Sequence, residues 1–152
     1  MSAPVLFAAG RLIAGWEVTA FIGRGGSAEV YRVRRQDSGA VAAMKVLTRE
    51  GVAPAERFRR EAAILAGSTD SAFPHFFSTG EVDGRPYMVL ELLEPLPLPK
   101  GDRAVADYLL RVCGGVSRLH SLGFVHRDIK PSNILSRASG EPVLIDLSLV
   151  KQ

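Results

Sequence analysis

Three side chains late in this 152-residue sequence have the types and spacing for chemistry: Asp128, Asn133 and Asp146. Asp128 and Asn133 share the stretch His126-Arg127-Asp128-Ile129-Lys130-Pro131-Ser132-Asn133-Ile134-Leu135. Asp146 closes the apolar run Val143-Leu144-Ile145, which follows a Ser139-Gly140 turn. Two acids and an amide on loops beside short apolar runs suit phosphoryl transfer. That reaction needs a base for the incoming hydroxyl and hard oxygen ligands for Mg²⁺ around a triphosphate. Asp128 fits the base, and Asn133 and Asp146 fit the metal ligands.

Other elements must position these groups. Trp16 to Val33 reads as a hairpin around Gly23-Arg24-Gly25-Gly26-Ser27-Ala28-Glu29-Val30. Its small residues let backbone N–H groups come close to phosphate oxygens. A dinucleotide-binding turn would open a helix, whereas Val30-Tyr31-Arg32-Val33 alternates as a strand does. A plain glycine-rich hairpin turn is the alternative. Ala40 to Thr48 is the next expected strand and carries Ala43 and Lys45. Pro54 suits the first turn of a helix and Gly67 the position past its end. Between them Phe58, Glu61, Ala62 and Leu65 share one face. A carboxylate there needs a cation, and Lys45 is the expected partner. Glu50 and Glu56 are alternative acids, and Arg57, Arg59 and Arg60 are alternative cations.

Further on, Asp83-Gly84 predicts a hairpin of Phe76–Val82 with Arg85–Leu90. Pro95, Pro97 and Pro99 exclude a helix and predict an extended linker. A helix is expected from an Asp102 cap to about Leu122, with Val105, Leu109, Val112, Val116 and Leu119 inward. Cys113 is expected to pack on it, Gly123 to end it, and His126 to be a packed, hydrogen-bonded residue. His75 and His120 have no Cys or His at ligand spacing, which argues against a metal there.

The compound pattern His126-Arg127-Asp128, Lys130, Asn133 and then Asp146 resembles the eukaryotic-type serine/threonine protein kinases. The resemblance implies an α+β fold: a five-stranded antiparallel N-lobe with one helix, a hinge, and the first part of a helical C-lobe. It implies one kinase-like domain over 1–152, with N-lobe and hinge at about 16–93 and partial C-lobe at 94–152. It implies ATP and Mg²⁺ as cofactors and a protein Ser/Thr hydroxyl as acceptor. By the same resemblance, Lys130 joins Asp128 at the transferred phosphate, and Asn133 and Asp146 hold metal. Nucleotide contacts fall to Ile22, Gly23, Gly25, Gly26, Ser27, Val30, Ala43, Lys45, Glu61, Glu91, Leu93 and Leu135. Three departures stand out. Ala28 occupies the third glycine position, Leu147-Ser148 replaces Phe-Gly after Asp146, and the sequence stops at Gln152, before the family's activation segment. Sugar and antibiotic phosphotransferases, which share the acid and the asparagine, are one alternative. A truncated or pseudo-kinase module that binds ATP or a partner without efficient catalysis is another.

Composition is that of one globular domain: 47% hydrophobic, 23% charged, net charge +3. That mild charge argues against a nucleic-acid partner, and Arg32, Arg34 and Arg35 read as a solvated strand face. A lone cysteine excludes an internal disulfide and points to a reducing, cytoplasmic compartment. Val5 to Ala9 is a short apolar run with no basic residue before it, too short for a membrane span and a poor signal peptide. Without the later helices of the family, part of the Asp102–Leu122 face and the backs of His126 and Leu147 are expected to face solvent. Such a surface invites a protein partner or self-association.

Overall fold

The computed structural model describes residues 4–149 and 151. They fall into two units. The first comprises the described residues up to Ala66 together with Phe76–Leu92, and the second comprises Gly67–His75 and those from Leu93 on.

In the first unit, strands β1 (Leu12–Ile13), β2 (Trp16–Arg24), β3 (Ala28–Arg35), β4 (Val41–Leu47), β5 (Phe76–Val82) and β6 (Arg85–Leu90) form an antiparallel sheet. The order is β1-β2-β3-β4-β6-β5. The five expected strands are all present, and two-residue β1 adds a sixth at the edge. Ala14 and Gly15 both take positive φ, 48° and 84°. That is the two-residue turn whose twist suits a hairpin, and it folds Leu12-Ile13 back on Trp16. Alternation along the strands divides the sheet into two faces. Tyr31, Val33, Ala42, Met44, Val46 and Val89 build a core on one face, joined by Trp16, Val18 and Phe7. The other face carries Ala43 and Lys45 and meets helix α1 (Val52–Ala66), whose buried residues are Phe58, Glu61, Ala62 and Leu65. These are the four that the helical periodicity places on one face.

In the second unit, β7 (Glu94–Pro95), β8 (Ile134–Ser136) and β9 (Pro142–Leu144) pair in that order. They lie with helix α2 (Asp102–Ser121). Beyond Pro95 the proline stretch has no regular structure, as expected. Arg137 donates to the carbonyls of Ser71 and Phe73 at 2.8 and 2.9 Å, and Arg118 pairs with Asp70 at 2.7 Å. These bonds tie Gly67–His75 to this unit. The Ala72 amide, then Arg118, hold the Asp70 carboxyl below its ordinary value.

Three expectations about this unit are corrected, and the expectation that part of the α2 apolar face meets solvent holds. Gly101, at φ 88°, occupies the cap of α2, so Asp102 is the first helical residue and no side chain caps the helix. Of the expected inward row Val112 and Leu119 are buried, while Val105 and Leu109, 37% and 52% exposed, bear out the expectation that part of that face meets solvent. Cys113 is exposed rather than packed. His126 and Leu147, expected to be partly bare, are fully buried. The His126 ring is enclosed because its two nitrogens bond backbone on both sides. Gly123 ends α2 at φ 83°, its amide reaching the His120 carbonyl. Among the described residues no helix is long and apolar enough to cross a membrane.

Candidate active site

The glycine-rich turn joins β2 to β3. Arg24 and Glu29 form the last cross-strand pair, and the Gly25 amide donates to the Ala28 carbonyl at 2.8 Å. Gly23, Gly25 and Gly26 all avoid positive φ. A Cβ at Gly23 or Gly26 meets nothing within 4 Å, and one at Gly25 meets only the Ala28 carbonyl oxygen at 3.8 Å. The fold itself therefore does not demand glycine at these positions. Their effect is to leave bare backbone that a phosphate group can approach closely, so the turn fits a nucleotide. Ala28, at the third glycine position, is a buried strand residue opposite Leu47, where extended backbone suits any residue. The Ser27 carbonyl accepts from the Thr48 amide at 2.8 Å, which holds the turn to the end of β4. Ile22 is exposed on β2, and Val30 stands opposite both Gly23 and Lys45.

Lys45 lies on β4 between Val30 and Met88. Its Nζ donates to both Glu61 oxygens, at 2.9 and 2.8 Å. The Glu61 side chain is 3% exposed and that of Lys45 18%. The ammonium also lies 5.9 Å from the centre of the Phe58 ring. The expected pair thus forms, and Glu50 sits instead 3.7 Å from Arg85. Ala43 is opposite Arg32 and Leu90. Glu91 and Leu93 lie in the irregular stretch between β6 and β7, with Leu93 buried.

The second unit assembles the catalytic-loop candidates. His126 Nε2 bonds the Ile145 carbonyl at 2.8 Å, which makes that nitrogen the donor. Nδ1 is then an acceptor, and it takes the Asp128 amide at 3.2 Å. One imidazole so fixes the loop to the residue before Asp146. The Asn133 Nδ2 donates to the Asp128 carbonyl at 2.9 Å and to Asp128 Oδ2 at 3.0 Å. Lys130 Nζ donates to the same Oδ2 at 2.9 Å. The Lys130 hydrogen bond, then the charges and the Asn133 amide, hold the Asp128 carboxyl below its ordinary value.

With its nitrogen turned to Asp128, Asn133 has its amide oxygen as the atom able to ligate a cation. The Ile145 amide donates to the Asn133 carbonyl at 2.9 Å, which brings Asp146 into the same neighbourhood. Asn133 and Asp146 offer hard oxygen donors, as Mg²⁺ prefers. No group of three or more His, Cys, Asp or Glu gathers among the described residues, so most of the ion's shell would be phosphate and water. Arg127 and Asp146 adopt left-handed backbone, φ 68° and 60°. Such conformations in non-glycine residues concentrate at functional sites. Leu135 is half-buried on β8, and Leu147 and Ser148 fall in a 3-10 turn. The Ser148 side chain lies outside the described ones.

The motif reading passed over Glu29, Arg24 and Tyr31. The signal was available: Glu29 alternates with Tyr31 and Val33 on the core face, where an acid needs donors. It also passed over Arg137, whose role in holding Ser71 and Phe73 has no local sequence sign.

The family model for the protein kinase domain matches residues 16–152. The chain is 33% identical over 145 residues to the serine/threonine-protein kinase PknL of Mycobacterium tuberculosis, covering 88% of this chain and 36% of that protein. It is 30% identical over 151 residues to a probable serine/threonine-protein kinase of Corynebacterium efficiens, covering 90% and 23%. It is 32% identical over 143 residues to mouse citron Rho-interacting kinase, covering 86% and 7%. The chain therefore spans a little over a third, or less, of the length of these relatives.

Proposed function

The chain belongs to the protein kinase domain family, and from that premise we propose that it carries the nucleotide-binding and phosphotransfer residues of a serine/threonine protein kinase. The observation that carries this reading is the Asp128 carboxylate, held by Lys130 and Asn133 on a loop that His126 fixes. The family uses ATP and Mg²⁺ in general. Bound Mg²⁺ would neutralise phosphate charge, with Asn133 and Asp146 as its protein ligands.

In this reading the bare backbone at Gly23, Gly25 and Gly26 cradles phosphate oxygens. Lys45, fixed in direction by Glu61, pairs with the α- and β-phosphates. Ile22, Val30, Ala43 and Leu135 supply apolar contact to the base, and the backbone of Glu91 and Leu93 its hydrogen bonds. Asp128 takes the proton of a Ser or Thr hydroxyl as its oxygen bonds to the γ-phosphorus and the bond to ADP breaks. A carboxylate kept ionised serves that step, because a protonated one has no room for the proton. Lys130 brings positive charge to the transferring group.

One observation favours a second reading, a module that binds nucleotide or a partner protein without efficient turnover. Val105, Leu109 and Leu110 are all exposed on α2, Leu110 at 70%. Contiguous apolar side chains on one helix invite a covering protein or a second copy.

The test pairs Mg·ATP titration calorimetry with transfer of radiolabelled γ-phosphate to a generic basic protein. Binding with transfer, lost in Asp128→Asn, supports the kinase. Binding without transfer favours the module. No binding at all removes the kinase and the nucleotide-binding module and leaves only the partner-binding one.

A further inference from the structure

Glu29 is a charged core residue that the nucleotide reading does not use. It is 2% exposed, on the same face of β3 as Tyr31 and Val33. Burying an ionised acid is costly unless its oxygens are bonded, and here both are. Oε1 accepts from Arg24, at 2.8 Å from Nε. Oε2 accepts from the Leu6 amide at 3.1 Å and from the Tyr31 hydroxyl. The Tyr31 oxygen in turn accepts from the Phe7 amide at 3.2 Å. Arg24 also donates to the Pro4 carbonyl at 2.9 Å. Burial pushes the Glu29 carboxyl upward, yet the Tyr31, Leu6 and Arg24 donors outweigh it and leave it below its ordinary value.

The bonds run between two places. Arg24 and Glu29 are the last paired residues before the glycine-rich turn, one on each arm. Pro4–Phe7 precede the sheet and are themselves anchored. Phe7 is 3% exposed, 5.4 Å from the Tyr31 ring and under the Arg11 guanidinium at 4.5 Å. One carboxylate thus joins both arms of the turn to a separate, packed stretch of backbone.

We propose that Glu29 is a positioning residue of the glycine-rich loop: with Arg24 and Tyr31 it clips the root of the loop to Pro4–Phe7, so that the segment before the sheet sets how ordered the loop is when nucleotide arrives. The effect on affinity rests on the nucleotide-binding role of this loop, whereas the clip does not. An unclipped loop must order itself on binding, which weakens affinity.

Two variants test this, each measured by amide hydrogen exchange and by Mg·ATP titration. Glu29→Gln keeps the shape but sets an amide donor against a ring of donors. Tyr31→Phe keeps the ring and removes only the hydroxyl, so it decides the matter if the first variant does not fold. Expected are faster exchange confined to the amides of Arg24–Ala28 and Leu6–Phe7, and a dissociation constant raised about three- to tenfold, the scale of ordering a short segment on binding. Unchanged loop exchange in both variants overturns the proposal. So does loss of protection spread evenly through β2, β3 and β4, which marks a merely structural ion pair. If the parent protein itself fails to bind Mg·ATP, the nucleotide reading falls, and the exchange pattern still decides the clip.

Discussion

Exchanging Lys45 and Glu61 for apolar residues should separate stability from nucleotide binding. Lys45→Met leaves a carboxylate that is 3% exposed without its ammonium. Breaking a buried pair from one side costs roughly 3–5 kcal/mol. The carboxyl can take up a proton instead, so about 3 kcal/mol is the better figure. Glu61→Leu takes the carboxylate from Lys45, which is 18% exposed and whose stem can carry the charge to water. That loss should be smaller, about 2 kcal/mol. The double variant Lys45→Met/Glu61→Leu has neither charge to bury, and both new side chains can pack with Phe58 and Ala62. It should return to within about 1 kcal/mol of the parent or exceed it. At roughly 2–4 °C per kcal/mol for a chain of this size, Lys45→Met should melt several degrees low while the double variant does not. Mg·ATP affinity should nevertheless fall about tenfold or more, 1.4 kcal/mol per decade, in both proteins that lack Lys45. Thermal unfolding by circular dichroism and titration calorimetry read the two effects. A double variant destabilised by the sum of the singles would refute the coupling. Unchanged affinity in Lys45→Met would take Lys45 out of the nucleotide site.

Asp128→Asn should lower phosphotransfer by about 10²–10⁴ while Mg·ATP affinity stays nearly constant; full activity in the variant would place the chemistry elsewhere. The Asp128 carboxyl, held down chiefly by Lys130, should titrate below 3.8 in carbon-detected NMR, and Lys130→Ala should move it back up. The sign follows from a folded value below the unfolded one: the contribution to stability is present above the ordinary carboxylate range and is lost as pH falls through the lowered value. An unmoved titration in Lys130→Ala would count against that cause. Gly80→Ala puts a Cβ 2.7 Å from the Tyr87 hydroxyl oxygen and 2.8 Å from Cζ, against a buried ring. Overpacking of that kind costs roughly 1–3 kcal/mol, and a urea midpoint equal to the parent's would show that the ring moves aside freely.

The first unit was legible in the sequence because its signals are local and agree with one another. Asp83-Gly84 and the alternation on each side of it predict the β5–β6 hairpin to the residue. Phe58, Glu61, Ala62 and Leu65 fall on one helical face by spacing alone, and the acid among them asked for the lysine that the structure supplies. Strand β1 was missed because Leu12-Ile13 is too short to show a period. Only the positive φ of Ala14, a residue with no bias toward it, makes the turn that pairs it. The bonds of buried Glu29 to Arg24, Tyr31 and Leu6 were missed for another reason. The acid looked like part of a glycine-rich turn; its donors Arg24 and Tyr31 lie on the same hairpin, and the third, the Leu6 amide, lies in Val5–Ala9, a run read only as too short for a membrane span and a poor signal peptide.

In the second unit spacing placed the apolar row of α2, and part of that row is exposed, as expected. Helical spacing says which side chains share a face but not how much chain stands ready to cover it. Val105, Leu109, Val112, Val116 and Leu119 do share a face, and only Val112 and Leu119, toward the C-terminal end of α2, are buried. His126 shows the converse. Its back was expected to be bare and is instead buried, while the packed, hydrogen-bonded role expected of it holds, with bonds to the Ile145 carbonyl and the Asp128 amide. A polar ring bonded at both nitrogens holds its place without a wide apolar neighbourhood, whereas a leucine row does not. Hydrogen bonds among His126, Asp128, Lys130, Asn133 and Ile145 hold this loop together from within. The helix before these residues was placed from spacing as well, Asp102–Ser121 against an expected end at about Leu122, and only its buried face reaches less far than the inward row.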